Sequence, residues 1–199
     1  MELFTAILLF AFSSTITPGP NNIMMMTSGM NYGVKRSLPH FMGICIGFPT
    51  MVVAIGLGLG SLFQWFPTLH DIIKVLGIVY LLYLAWKIAS AETDSLSGEK
   101  AKPFTFLQGA LFQWVNPKAW IMGTGAVAAF TSDSMNIYSQ VGLIAGLFLL
   151  VAFPCVGMWL VFGTKIRLFL SDPKHQKVFN VCMAILLVLS IVPVVFEYL

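Results

Sequence analysis

Two short polar motifs interrupt long apolar runs, and both contain residue types that could bind a small charged molecule. The first, "TPGPNN", covers Thr17–Asn22, and the second, "VNPKAW", covers Val115–Trp120. Proline costs about 3 kcal/mol inside a helix, because it lacks the amide hydrogen and its ring clashes with the preceding turn. Each motif therefore predicts a broken helix, with a new helix that begins at Pro20 or at Pro117.

The two new helix starts predict an anion site. Gly19 and Asn116 would cap them, and unpaired amide hydrogens at helix starts attract anions such as a carboxylate. Lys118 follows the second start, and a lysine near the middle of a membrane span costs about 2.5–3.5 kcal/mol unless it faces the protein interior. It would pair with the carboxylate or replace a proton in a transport cycle. The alternatives are a side chain that extends to the interface or pairs with backbone carbonyls.

The positive end of a substrate needs acceptors, and no acidic residue lies in the middle of an apolar run. The acceptors would be carbonyls before the breaks and neutral side chains, with Thr15 as one candidate. Neutral acceptors suit a zwitterion better than a dibasic molecule. For Asn21 and Asn22, the alternative is capping of the break alone. The predicted binding residues are Thr17, Pro18, Gly19, Pro20, Asn21, Asn22, Gln113, Asn116, Pro117 and Lys118. No catalytic residue, metal ligand or cofactor is predicted.

The composition predicts an all-α integral membrane protein. Of the 199 residues, 58% are hydrophobic and only 10% are charged, and the mean hydropathy is +0.87. A soluble domain carries roughly 25% charged residues. The net charge of +3 gives no reason to expect a nucleic-acid partner. No polar segment is long enough for a soluble catalytic domain, so we do not expect an enzyme.

Charged residues divide the chain into six apolar spans, each near the roughly 20 residues that cross a bilayer. The spans are Leu3–Ser28, Leu38–Phe63, Ile72–Ala89, Phe104–Phe130, Ile137–Gly163 and Val178–Phe196. The two motifs break the first and fourth of them. The predicted units are a three-helix repeat over 1–90, a cytoplasmic linker over 91–103 and a second three-helix repeat over 104–199.

Basic residues predict the orientation of the spans. Nine of the 11 lysines and arginines fall on one side, namely Lys35, Arg36, Lys87, Lys100, Lys102, Lys165, Arg167, Lys174 and Lys177. Cytoplasmic loops are enriched in such residues. We therefore expect that side to be cytoplasmic and both termini to face outward.

Matched prolines indicate an inverted repeat. Pro18 and Pro117 are 99 positions apart, and Pro49 in "GFP" and Pro154 in "AFP" are 105 apart. Because each half has three spans, the second half would be upside down relative to the first. Interrupted helices at matching positions of two halves point to the substrate site of a transporter. The alternative is coincidence, since prolines are common in membrane helices.

The same motifs resemble the LysE/RhtB family of amino-acid exporters. The resemblance rests on "TPGPNN", on "LAWKIA" at Leu84–Ala89 and on "WVNPKAW" at Trp114–Trp120, in that order along the whole chain. With "AKP" at Ala101–Pro103, the chain is most similar to the cysteine/O-acetylserine exporter branch. The resemblance implies a six-helix bacterial inner-membrane exporter, driven by the proton gradient and oligomeric, for example dimeric. Cysteine, O-acetylserine, homoserine, threonine or leucine-like cargo is implied.

Two other functions remain open at this point. A thiol–disulfide electron carrier would need a cysteine in each broken helix, whereas Cys45, Cys155 and Cys182 lie in the second, fifth and sixth spans. A metal-ion permease would need a ring of carboxylates or histidines within the membrane.

Small residues predict close helix packing. Gly43 and Gly47, and likewise Gly142 and Gly146, are spaced four apart, which allows helix backbones to approach in lipid. His40, next to basic residues at the start of the second span, is predicted to be interfacial, with a proton-relay role as the alternative.

Overall fold

The computed structural model describes residues 2–59, 65, 67–91, 102–132, 134–170, 172–190 and 192, and their regular secondary structure is entirely helical. The α-helices are α1 (Glu2–Ile16), α2 (Pro20–Ala54), α3 (Pro67–Ala89), α4 (Phe106–Phe112), α5 (Pro117–Phe130), α6 (Ile137–Phe169) and α7 (Pro173–Leu189). A π-helical segment, Ile55–Leu59, follows α2, and a 3₁₀ turn, Gln113–Val115, follows α4. Both predicted helix breaks are present.

Local capping explains where these helices begin. Three of them start with a proline, whose fixed φ and missing amide hydrogen suit the first helical position; these are Pro20, Pro117 and Pro173. The side chains of Asn116, Asn136 and Asp172 accept hydrogen bonds from the first amides of α5, α6 and α7. Thr105 and Gln108 form a reciprocal capping box at the start of α4.

The chain folds back on itself within α2. Gly33 has a φ of 72° and a ψ of 176°, which interrupts the helix in a region that favours glycine. Ser28 Oγ lies 3.2 Å from His40 Nδ1, although 12 residues of straight helix would separate them by about 18 Å. Met25 and Ile44 likewise pack in one apolar cluster. Residues 20–32 and 34–54 therefore lie side by side as a helical hairpin.

This hairpin corrects the predicted end of the first span at Ser28 and the predicted start of the second at Leu38. The segment between them is helical, because Gly33 alone supplies the turn. Helix α6 also continues to Phe169, beyond the predicted Gly163. The predicted ends at Phe63 and Phe196, and residues 92–101 of the predicted linker, lie outside the described residues.

Other predicted boundaries shift by about one helical turn. Helix α3 begins at Pro67 rather than Ile72, and α7 begins at Pro173 rather than Val178. At α7 a proline starts the helix earlier than the apolar pattern does, because proline at the first position needs no amide partner. The apolar pattern does not include the polar first turn of a helix, such as residues 173–177 of α7.

Glycines bring α2 close to its neighbours. A Cβ added to Gly29 would clash with the carbonyl of Leu160 on α6, and one added to Gly163 would clash with the carbonyl of Met26. The first arm of the hairpin and α6 therefore pack backbone against backbone, the approach that small residues permit.

The second arm of the hairpin packs on α4 in the same way. A Cβ on Gly43 would clash with the carbonyl of Phe106, and one on Gly47 would lie 2.7 Å from Ala110 Cα. The prediction for this glycine pair is confirmed. Within the described residues, the prediction for Gly142 and Gly146 is wrong, because a Cβ at either position would have no atom of that part of the chain within 4 Å.

His40 is fully buried, so the interfacial prediction is wrong. The turn at Gly33 returns His40 to the first arm of α2, where it contacts Ser28. Its ring lies 5.0 Å from that of Phe104, between centroids. Position in the sequence placed it near a polar loop, but the hairpin covers it.

The outer surface of the helices is rich in apolar side chains. Examples on α1, α3, α5, α6 and α7 are Leu9, Val79, Ile121, Leu150 and Ile185. Helix α2 with the following π-segment (Pro20–Leu59) and α6 are each long and apolar enough to cross a bilayer, and Glu2–Ile16 and Val75–Ala89 are shorter apolar helices. An apolar exterior of this extent is consistent with a membrane protein.

Candidate functional site

The two helix breaks contact each other through Lys118. Its Nζ donates hydrogen bonds to the carbonyl of Thr17 at 2.9 Å, to the hydroxyl of Thr17 at 2.9 Å and to the carbonyl of Pro18 at 3.3 Å. Lys118 lies one residue into α5, whereas its three acceptors lie between α1 and α2. The lysine that the sequence placed beside the second break therefore binds the first break.

A pair of amides joins the same two breaks. Asn21 Nδ2 donates to Gln113 Oε1 at 2.8 Å, and Gln113 Nε2 donates back to Asn21 Oδ1 at 3.0 Å. Gln113 is fully buried and donates a further bond to the carbonyl of Gly109 at 2.9 Å. Each amide is thus fixed by the other, so the position of Asn21 depends on the second half of the chain.

Side-chain donors satisfy the carbonyls at the end of α1. Asn22 Nδ2 donates to the carbonyls of Thr15 and Thr17 at 2.8 Å each, and Trp159 Nε1 on α6 donates to the carbonyl of Ile16 at 3.1 Å. A helix end leaves such carbonyls without intrahelical partners, and it carries a partial negative charge. This end of α1 is therefore organised to hold hydrogen-bond donors and positive charge.

The two helix starts differ in their capping. The start of α5 is capped, because Asn116 Oδ1 accepts from the amide of Lys118 at 3.2 Å. The start of α2 follows Gly19, which is extended, with a φ of −179°, and has no side chain that could cap. The first amides of α2, those of Asn21 and Asn22, therefore receive no side-chain cap. Because these amides are uncapped, the start of α2 can bind an anion more readily than the capped start of α5.

A small cavity lies between the breaks and the apolar core. Its volume is about 40 Å³, which is room for about three water molecules. Its polar wall consists of Ser14, Thr15, Gly19, Asn21, Asn22, Asn116 and Lys118. Its apolar wall consists of Ile44, Phe48, Ala119, Met122, Ala152 and Val156. The polar wall can therefore bind charged groups of a ligand, while the apolar wall can contact an apolar group of the same ligand.

Two details of the polar wall bear on its chemistry. A Cβ added to Gly19 would lie 2.7 Å from Lys118 Cδ and 3.1 Å from Lys118 Nζ, so glycine leaves the room that the lysine occupies. The hydroxyl oxygen of Thr15 is buried and has no hydrogen-bond partner among the described residues. A buried hydroxyl without a partner is costly, and Thr15 lines the cavity.

The structure brings all ten predicted binding residues to this region. Five line the cavity, namely Gly19, Asn21, Asn22, Asn116 and Lys118. Thr17 and Pro18 accept from Lys118, and Gln113 holds Asn21. Pro20 and Pro117 are the first residues of α2 and α5.

The sequence analysis did not identify the apolar wall or Trp159. Phe48 and Ala152 belong to the matched "GFP" and "AFP" motifs, which we interpreted only as signs of a repeat. Those motifs were the available signal for this wall. Nothing in the sequence distinguishes Trp159 from other tryptophans.

The remaining candidate chemistry is sparse. Cys45 and Cys155 are buried, Cys182 is exposed, and all three are free thiols. Within the described residues, no group of three or more His, Cys, Asp and Glu side chains could hold a metal ion.

Comparison with known proteins gives one family. The model of the LysE type translocators matches residues 12–195. The chain is 29% identical to the cysteine/O-acetylserine efflux proteins of Escherichia coli K12 and Shigella flexneri, over 94% of each chain. It is 28% identical, over the same share, to the protein of that name in Escherichia coli O139:H28. No solved structure matches the chain at a significant level.

Proposed function

The chain belongs to the LysE type translocator family, and from that premise we propose that it exports small neutral amino acids or their derivatives across the bacterial inner membrane. The members of this family are transporters rather than enzymes. Cysteine and O-acetylserine, which the names of its relatives specify, head the proposed cargo, followed by homoserine, threonine and leucine-like amino acids. Proton coupling and a homodimer, both implied by the family resemblance, complete the proposal.

One observation carries this proposal: the two helix breaks bind each other beside a cavity with one polar and one apolar wall. Interrupted backbone at membrane depth is tolerated only within protein or along a wet cavity. Polar groups gathered in an apolar bundle are costly, so they mark functional sites. Paired breaks at a common cavity are the arrangement that transporters use to bind substrates.

The start of α2 is the proposed carboxylate site. Its first amides have no side-chain cap, and Lys118 Nζ lies close to Gly19. A partly buried helix start stabilises an anion by up to about 2 kcal/mol. The apolar wall, which includes Phe48, Met122 and Val156, would contact the substrate side chain. Such a wall favours small neutral amino acids over lysine or arginine.

The proposed architecture is six spans in two inverted repeats. The hairpin at Gly33 supports it, because the first and second predicted spans lie antiparallel on either side of this turn.

The cavity of about 40 Å³ is too small for an amino acid. We therefore propose that the two repeats move relative to each other during transport.

Contacts between basic segments support the proposed orientation. Lys177 Nζ at the start of α7 donates to the carbonyl of Ala89 at 2.8 Å. Lys87 near the end of α3 lies 4.3 Å from the centre of the Phe104 ring. The end of α3, the start of α7 and the segment around Phe104, each with basic residues, thus meet at one end of the bundle, the proposed cytoplasmic end.

A fusion to the C-terminus tests this orientation. With both termini in the periplasm, alkaline phosphatase fused after Leu199 should be active in intact cells, because it folds only after export. Green fluorescent protein at the same position should give little fluorescence. The reverse pattern, with fluorescence and no phosphatase activity, would contradict the proposed topology.

Export from cells tests the function and separates it from thiol–disulfide chemistry. Expression of the wild type should raise the concentration of at least one neutral amino acid in the medium. A variant with Cys45→Ala, Cys155→Ala and Cys182→Ala should export at about the wild-type rate, because none of these thiols lines the cavity. Absence of export by the wild type would refute the function. Export that depends on the cysteines would favour an electron carrier.

A further inference from the structure

We propose that Lys118 in the substrate-free protein occupies the subsite for the α-ammonium group of the substrate. The inference rests on the proposed function, since it concerns how that substrate binds. It assigns the acceptors between α1 and α2 to the amine, and it makes Lys118 a tethered competitor that every substrate must displace.

The first argument is the set of acceptors around Nζ. An ammonium group has three hydrogens to donate and accepts none. Lys118 Nζ has three oxygen acceptors, at 2.9, 2.9 and 3.3 Å, two from Thr17 and one from Pro18. The α-ammonium of an amino acid is the same chemical group with the same number of donors. The three oxygens of Thr17 and Pro18 that bind one ammonium group can therefore bind the other, and we call this set of acceptors the seat.

The second argument is the position of this seat relative to the start of α2. The carbonyls of Thr17 and Pro18 follow the end of α1, where the helix dipole is negative, whereas Asn21 and Asn22 begin α2, where it is positive. The two opposite poles are only a few residues apart along the chain. An amino acid carries its ammonium and carboxylate on one carbon, so a substrate with its ammonium in the seat would present its carboxylate to α2.

The third argument concerns the displaced lysine. Lys118 also lines the cavity, and its side chain lies against Gly19 at the start of α2. After displacement, its ammonium would remain beside the substrate carboxylate and could pair with it. A simple amine would bring no carboxylate, so it would leave the displaced Lys118 without a counter-ion. The exchange therefore selects amino acids and rejects amines.

The test compares binding of L-cysteine and of cysteamine, its amine without the carboxylate, by calorimetry on purified protein in nanodiscs. Lys118→Met vacates the seat and removes the partner of the carboxylate. We expect L-cysteine to bind about tenfold more weakly than to the wild type, and cysteamine to bind about tenfold more tightly, since a charge-assisted hydrogen bond is lost or gained. Lys174→Met, which removes an exposed lysine, should change neither affinity.

Gly19→Ala is a second and independent variant. Its Cβ would lie 2.7 Å from Lys118 Cδ, while the extended backbone at this position suits alanine. It should push the lysine from the seat without removing its charge or the acceptors. We expect cysteamine to bind about threefold more tightly to this variant than to the wild type, because the lysine competes less well.

The outcomes separate the two proposals. If the wild type binds L-cysteine but neither variant binds cysteamine more tightly than the wild type does, the assignment of the seat is overturned and the exporter function stands. If the wild type binds none of L-cysteine, L-threonine and L-leucine, the exporter function fails, and this inference fails with it. Should Lys118→Met not fold, Gly19→Ala decides alone.

Discussion

Replacement of Lys118 with methionine is expected to lower amino-acid export by about 100-fold or more, to the background of cells without the protein. The variant loses the cation beside the start of α2 and the three hydrogen bonds that this cation donates to Thr17 and Pro18. Hydrogen bonds to charged groups contribute about 1.5–3 kcal/mol each, so the loss of two such bonds from Lys118 to the substrate carboxylate accounts for the effect. The measurement is the initial rate of amino-acid appearance in the medium, divided by the amount of protein in the membrane.

Two controls make this result specific. Lys174→Met removes a lysine that is exposed, and it should export at the wild-type rate. Size-exclusion chromatography of Lys118→Met should show the same folded species as the wild type, because methionine fits the half-buried position. Normal export by a folded Lys118→Met would remove this lysine from the site.

Loss of the amide pair between the breaks should have the next largest effect. Asn21→Leu leaves the fully buried Gln113 amide without its partner, and a buried polar group without a partner costs about 1–3 kcal/mol. It also removes a polar residue from the cavity wall. We expect the melting temperature to fall by several degrees and the KM for export to rise about tenfold or more. Transport kinetics in proteoliposomes and thermal unfolding in detergent measure the two effects separately.

The chain contains a matched control for this change. Asn31 and Asn180 form a second reciprocal amide pair, at 3.0 and 3.1 Å, away from the cavity. Asn31→Leu should lower the melting temperature by a similar amount and leave KM near the wild-type value. If Asn21→Leu and Asn31→Leu change KM equally, the pair at the breaks has only a structural role.

Local rules predicted the breaks from the sequence. Proline is costly in a helix interior, although α2 and α6 tolerate it at Pro39, Pro49 and Pro154. At the two motifs it coincides with good caps, glycine or asparagine, so Pro20, Asn116 and Pro117 specified both helix starts without any tertiary information. The family was also recognisable, because these motifs occur in order along the chain. The structure and the comparisons confirm these parts.

Contacts between distant residues could not be predicted in the same way. The partners of Lys118 lie about 100 residues earlier in the chain, and the sequence left a carboxylate, the interface and backbone carbonyls all open. The partner of Asn21 is 92 residues away. Which polar groups meet across the bundle depends on how the helices pack, and helical periodicity does not specify that.

Two errors show the same limit. The spacing of Gly142 and Gly146 matches that of Gly43 and Gly47, yet in the described part of the chain only Gly43 and Gly47 face another backbone, because spacing does not determine which way a helix face points. The turn at Gly33 was predicted as a loop around basic residues. A single glycine with a positive φ can reverse a helix, and neither composition nor hydropathy distinguishes it from a helical glycine.

Transport by purified protein in proteoliposomes tests the central claim most directly, that the paired breaks bind and move a small neutral amino acid. Vesicles would be loaded in turn with labelled cysteine, O-acetylserine, homoserine, threonine, leucine and lysine, with and without an imposed pH gradient. The account predicts release of at least one neutral amino acid, faster with the gradient, little release of lysine, and loss of release in Lys118→Met. Failure of the folded wild type to move any of these compounds in either direction would contradict it.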